Sequence, residues 1–180
     1  MKIKFRRSKQ DDLDAIYDLH CKCFSNNDHW YKSSIKHYLD KGIIIELVNN
    51  DIIGILLQGT IIPCNKRLTD DSDYLEDIFE PLTNNGKIFL TNNIHYNNLY
   101  GIVMICIDPK YRGKGLAKKL IEKHWKDNNN KLVCLNTRKS NITAFMLYKS
   151  MGYEHIAYIK NKYFLPTEDS IFMIKDYNLE

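Results

Sequence analysis

Residues able to do chemistry concentrate in one stretch, Ile102 to Ala117, which reads IVMICIDPKYRGKGLA. An apolar run enters a turn at Pro109 and passes through a basic, glycine-rich loop. It then continues into an amphipathic segment from Leu116 to Trp125. That order predicts a strand, a loop of unpaired backbone N–H groups and a helix N-terminus. Such a terminus carries about half a positive charge and several orphan donors. Gly113 and Gly115 remove side chains that would hold an anion off the backbone, and Arg112 and Lys114 add charge. The chemistry this predicts is phosphate binding. The loop is not a P-loop, because the GxxxxGK[ST] spacing is absent. It is not the dinucleotide fingerprint either, since a single Gly-x-Gly stands without the acidic residue that should follow about 20 positions on.

Composition narrows what this loop can serve. The 180 residues are 44% hydrophobic and 27% charged, which suits one folded domain over 1–180. No apolar run approaches the roughly 20 residues of a membrane-spanning helix, and the N-terminal MKIKFRRSKQDDLD lacks a signal-peptide core. The five cysteines form no CxxC pair, which points to a reducing, cytoplasmic setting without disulfides. No metal-ligand spacing stands out. The net charge of +4 is mild, with Lys110, Arg112, Lys114, Lys118 and Lys119 gathered at the loop. A phosphate-bearing small molecule and a nucleic acid compete as the ligand there. The strand–loop–helix setting favours the first, and few aromatics interleave for base stacking.

The elements that must position the loop follow from periodicity. Residues 2–7 alternate as a strand. Ser8 then precedes a helix whose apolar face carries Leu13, Ile16, Tyr17, His20, Cys23 and Phe24. A second helix runs from about His29 to Leu39. Strands follow at Ile43–Val48 and Ile52–Ile62, joined by a turn at Asn49–Asp51. Residues 63–98 keep no sustained period and read as an insertion, with a short helix near Asp73–Phe79 and a strand near Lys87–Leu90. Beyond the loop come a strand at Lys131–Leu135 and a helix from Ser140 or Asn141 to Ser150, stopped by Gly152. Two closing strands, Tyr153–Ile159 and Ser170–Lys175, flank a turn with Pro166.

The spacing Arg112-x-x-Gly115-x-Ala117, preceded by Asp108-Pro109-Lys110-Tyr111, resembles the R/Q-x-x-G-x-G/A motif of the GCN5-related N-acetyltransferases (GNAT). The element order resembles that family over nearly the whole chain. The resemblance implies an α/β fold whose mixed, mostly antiparallel twisted sheet has about seven strands and about four flanking helices, splayed at the fourth and fifth strands. It implies acetyl-CoA as cosubstrate, with the pyrophosphate on Arg112, Gly113, Lys114, Gly115, Leu116 and Ala117. The pantetheine arm would pair with the backbone at Ile105, Cys106 and Ile107. Asn141-x-x-Ala144-x-x-x-Tyr148 resembles a second family motif. It implies that Asn141 bonds the cofactor arm and that Tyr148 lies near the sulfur as general acid. A core aromatic on a helix face is the alternative for Tyr148. A covalent acetyl-Cys106 is disfavoured, because a strand thiol has no neighbouring cation in the sequence to activate it.

Further features resemble protein N-alpha-acetyltransferases, whose acceptor is an N-terminal α-amine. Cys23-Phe24 with Asn27 to Lys32 resembles their peptide-entry loop, which implies substrate contacts from Phe24 and Tyr31. Asn161-Lys162-Tyr163-Phe164 with Glu168-Asp169-Ser170 and Met173 resembles their C-terminal hairpin, with Tyr163 and Phe164 as the aromatic pair over the substrate. The same aromatics could simply fill a hairpin face. The base is less defined. Ser25 stands where a proline is usual, Asn136 where one subgroup has histidine, and Gly101 where it has tyrosine, with Tyr100 beside it. Tyr100, His95 and Asn136 are the candidates for weak assistance. An α-amine with pKa near 8 needs less help than a lysine near 10.4. The alternatives are a polyamine or antibiotic acetyltransferase, with acidic residues 70–80 as its pocket, and a non-catalytic acyl-CoA-binding module.

Overall fold

A computed structural model of the protein describes residues 3–24, 30–39, 44–48, 51–61, 79–82, 100–127 and 132–175. In chain order these form β1 (Lys4–Arg7), α1 (Leu13–Cys23), α2 (Lys32–Leu39), β2 (Ile44–Val48), β3 (Asp51–Thr60) and β4 (Phe79–Pro81). Then follow β5 (Tyr100–Ile107), α3 (Leu116–Asp127), β6 (Val133–Arg138), α4 (Ile142–Ser150), β7 (Glu154–Phe164) and β8 (Thr167–Lys175). The chain divides into two compact units, Met1–Gly59 with Ile102–Lys131 and Thr60–Gly101 with Leu132–Glu180. The expected elements near 73–78 and 87–90, the turn at 49–50 and His95 lie outside the described residues.

In the first unit the strand order is β1-β2-β3-β5, with β1, β2 and β3 antiparallel in turn. The entry to α1 is set by charge. Asp12 accepts both 2.7 Å bonds of the Arg6 guanidinium and the Lys9 N–H at 2.6 Å. The Arg6 bond holds the Asp12 carboxyl below its usual range. Lys9, rather than Ser8, is therefore the cap residue of the 3-10 turn that leads into the helix. The α1 face buries Ile16, Leu19 and His20, and α2 buries Ile35 and Leu39. They share one apolar cluster with Ile55 and Leu57 of β3 and Met104 and Cys106 of β5.

His20 ties this core together. Its Nε2 accepts the Trp30 N–H at 2.8 Å, which leaves Nδ1 to carry the hydrogen toward Met104 Sδ at 3.2 Å. Gly59 permits the fit beside it, because a Cβ there would lie 2.7 Å from the Tyr38 ring. On α3, Leu116, Leu120, Ile121 and His124 face inward.

The second unit pairs β6-β8-β7-β4, antiparallel throughout. Its α4 ends as expected: the N–H groups of Gly152 and Tyr153 return to the carbonyls of Lys149 and Tyr148, and Gly152 sits at φ 82°. The closing hairpin is longer than its apolar pattern suggested. Register shifts between Ile159 and Tyr163, with Asn161 at φ 50°, and the strand resumes to Phe164. An irregularity of that kind breaks the two-residue alternation while keeping the pairing. Phe79, expected in a helix, belongs to the short edge strand β4, where Pro81 costs no ladder bond on the open side.

Burial lowers the His124 pKa from its ordinary 6.5 to about 4, with Arg7 adding to the shift and Asp127 opposing it. Between those values the unfolded chain takes up a proton that the folded chain refuses. Stability is therefore complete above about pH 6.5 and falls by roughly 2–3 kcal/mol as pH drops to about 4. Chemical denaturation across that range should show the loss, and His124→Leu should flatten it. Equal slopes for both proteins would assign the dependence to other groups.

Candidate functional site

The anion loop is built from the end of β5. Asp108 leaves the strand by donating its N–H to Ile53 O at 2.8 Å, and its carboxylate accepts the Lys110 N–H at 2.9 Å. Pro109 to Tyr111 form a 3-10 turn. Arg112 is exposed, but its Nε donates back to Ile107 O at 3.1 Å. This guanidinium thus braces the loop as well as charging it. Gly113 and Gly115 sit at φ 74° and 73°, and a Cβ on either would meet nothing within 4 Å. Both glycines thus face open space, in a conformation that favours glycine. The loop runs into α3, whose first N–H groups have no intrahelical acceptor. Lys114 stands over the Tyr111 ring at 5.1 Å. Open amides, two side-chain-free positions and a helix N-terminus fit a pyrophosphate.

Of the strand residues before the loop, Cys106 and Ile107 are buried and Ile105 is half-buried. A feature invisible in the sequence adjoins them. Cys23, the last residue of α1, places its thiol 3.2 Å from the Ile107 carbonyl, which Arg112 also uses. A hydrogen bond with the Cys106 thiol, opposed by burial and aided by Arg112, brings Cys23 down to about 7. Burial drives Cys106 the other way, well above its ordinary value. Phe24 is packed against the helix core, its ring 4.9 Å from that of His20. Tyr31 is 82% exposed and lines an open hollow with Trp30, Ser34, His37 and Tyr38.

In the second unit, Asn141 caps α4, its Oδ1 accepting the Ala144 N–H at 3.1 Å. Its amide nitrogen is the part left for a ligand. Tyr148 is only 5% exposed and lies edge-on to Tyr153 at 5.7 Å. Asn136 on β6 accepts a 3.5 Å contact from Ser170 Oγ. Tyr100 is 37% exposed. Next to it, Gly101 has no room for any side chain, because a Cβ would overlap the Cys134 carbonyl oxygen. The tyrosine that one related pattern has there is sterically excluded.

Arg138 and Glu168 form a second brace that sequence reasoning missed. Arg138 reaches Glu168 at 3.1 Å and the carbonyls of Leu165 and Pro166 at 3.3 Å, and stacks on Tyr163 at 4.2 Å. Glu168 accepts the Ser140 N–H and, at 3.0 Å, the Ser140 hydroxyl. Burial pushes the Glu168 carboxyl up, but these donors hold it below its usual range. The brace joins the start of α4 to the hairpin carrying Tyr163 and Phe164. Tyr163 is half-buried beneath Arg138, and Phe164 is 66% exposed. Among the described residues, no group of three or more His, Cys, Asp or Glu is placed for a metal, and no helix is long and apolar enough to cross a membrane.

Comparison with known proteins accounts for this arrangement. Residues 82–155 match the family model described as an acetyltransferase (GNAT) domain. The N-alpha-acetyltransferase RimI of Mycobacterium tuberculosis is 27% identical over 77 residues, 43% of this chain and 49% of that relative. The matches span less than half the length of the curated relatives, 16% in one and 49% in the other. The GNAT fold extends well beyond the matched segment. The Escherichia coli ribosomal-protein-S18-alanine N-acetyltransferase superposes with TM-score 0.68 at 16% identity, covering 96% of this chain and 92% of that one. Arabidopsis thaliana NAA60 in complex with acetyl-CoA gives 0.70 at 16% identity, covering 97% and 99%.

The steric closure at Gly101 has a direct test. Gly101→Ala should lower stability by about 1–3 kcal/mol, the usual cost of overpacking, measured by urea denaturation. An unchanged midpoint would show that the backbone there is free to move away from Cys134.

Proposed function

We propose that this protein is a cytoplasmic N-acetyltransferase that moves the acetyl group of acetyl-CoA to the α-amine of a protein N-terminus. The observation that carries the reading is the braced loop between β5 and α3, with open amides and two glycines at positive φ. NAA60, of like fold, was solved with acetyl-CoA. RimI and the S18-alanine enzyme, by their names, acetylate α-amines or a protein's alanine, which supports this acceptor class. Five cysteines without a CxxC pair support a reducing compartment. Solved structures that superpose on 96–97% of the chain support a single domain over residues 1–180, and the lack of a sustained period over 63–98 is the ground for reading that segment as an insertion.

In this reading the Arg112 side chain and the amides of Gly113 to Ala117 hold the pyrophosphate, and the backbone at Ile105 to Ile107 orders the pantetheine arm. The Asn141 amide nitrogen adds a donor to that arm. The amine nitrogen attacks the thioester carbonyl carbon and the C–S bond breaks. Oriented backbone N–H groups stabilise the oxyanion, and Tyr148 returns a proton to the thiolate. Phe24, Tyr31, Tyr163 and Phe164 are the proposed acceptor-binding residues. Proton removal is left to water oriented by Tyr100 or Asn136, which is enough for an amine whose pKa is about 8.

Thiol release from acetyl-CoA should be faster with peptides bearing free α-amines than with N-blocked lysine peptides or polyamines. Preference for polyamines would overturn the acceptor class, and no release with any acceptor would leave a binding module. Tyr148→Phe should cut the maximal rate by about 100-fold and leave acetyl-CoA affinity nearly unchanged in calorimetry. An unaltered rate would make Tyr148 a core residue.

A further inference from the structure

We propose that Cys23 and Cys106 are a peroxide-reactive dithiol, with Cys23 as the attacking sulfur and Cys106 as the resolving one, joining α1 to β5. The inference does not depend on the acetyl acceptor. Cys23 is partly exposed at the end of α1 and packs against the cluster that contains Cys106, itself 2% exposed. Each thiol acts on the ionisation of the other, Cys106 favouring the Cys23 thiolate and Cys23 opposing that of Cys106. The Cys23 sulfur and the Arg112 Nε converge on one acceptor, Ile107 O, at 3.2 and 3.1 Å. The guanidinium therefore stands beside the sulfur and stabilises negative charge on it. Lys22 and Asp108 flank the same corner, 3.9 Å apart.

The two sulfurs are poised for different steps. Cys23, brought down to about 7, is substantially thiolate near neutral pH, whereas burial keeps Cys106 protonated. Hydrogen peroxide supplies the oxidising equivalents. The Cys23 thiolate attacks one peroxide oxygen, the O–O bond breaks, and hydroxide leaves and is protonated to water. Cys23 is then a sulfenic acid. The Cys106 sulfur displaces its hydroxyl group, so that the S–S bond forms, the S–O bond breaks, and a second water carries off the Cys106 proton. Two thiols and one peroxide yield one disulfide and two waters. The product removes the S–H donor from Ile107 O and leaves that carbonyl to Arg112. Cys21, two positions earlier on α1 and also partly exposed, serves as an internal reference.

The test exposes the purified full-length chain to hydrogen peroxide near neutral pH and maps its peptides without reduction. A peptide pair joined through Cys23 and Cys106 should accumulate and disappear with dithiothreitol. In Cys106→Ser, the Cys23 sulfenic acid should persist and be trapped by dimedone. In the reduced wild-type protein, iodoacetamide should label Cys23 roughly tenfold faster than Cys21, and Arg112→Gln should shrink that ratio. Equal labelling of Cys21 and Cys23 in the wild type, or a Cys106 that stays a free thiol while Cys23 oxidises further, would overturn the proposal. All of these readouts are taken without acetyl-CoA, so an enzyme inactive on every amine would leave the dithiol intact.

Discussion

A strand that ends at a ligand site must satisfy its own polar groups without consuming those the ligand needs. The end of β5 does this by dividing the work at Ile107 and Asp108. The Asp108 N–H goes to β3, its carboxylate holds the following turn, and the Ile107 carbonyl takes a guanidinium and a thiol. The amides that follow, through Gly113 and Gly115 into α3, are left facing outward. A buried orphan group costs about 1–3 kcal/mol, so the loop can present free donors only because they lie at the surface and their neighbours are paired.

The second unit solves a related problem with charge. Hairpin tips are mobile unless something crosses them, and the β7–β8 tip carries the aromatics facing the acceptor in the proposed function. Arg138 spans it from β6, and Glu168 ties Arg138 to the residue before Asn141. Exposed ion pairs contribute little singly. This one is largely shielded, at 15% and 16% side-chain exposure, and extends to two backbone carbonyls and an aromatic face. Its effect is geometric: the helix start and the hairpin share a common anchor.

The local order of the chain was open to reading from the sequence. A β-branched run, a proline turn, paired glycines and an amphipathic segment can satisfy their backbones in few ways, and Gly152 closes α4 as its position suggests. The contacts between distant segments were not open to it. Nothing in CKC or MICI indicates that the Cys23 sulfur meets the Ile107 carbonyl across 84 positions of sequence. For Arg112, spacing reveals the charge but not that its Nε also returns to the Ile107 carbonyl. Asn141 reads as a ligand donor, whereas half of its amide is occupied in capping its own helix. The hairpin reads short because Asn161 interrupts the alternation that marks strands.

The crowding at Gly101 also limits how this site can change over evolutionary time. Tyr100 and Gly101 are adjacent in sequence yet opposite in tolerance, one opening to solvent and the other closed by the Cys134 carbonyl. No single substitution at position 101 can recruit an acid or base, because the backbone must first part to admit one. The neighbouring exposed position accepts most side chains at little cost in folding. Descendants of this chain that acquire a stronger proton acceptor therefore have an open mutational path at 100 and a blocked one at 101.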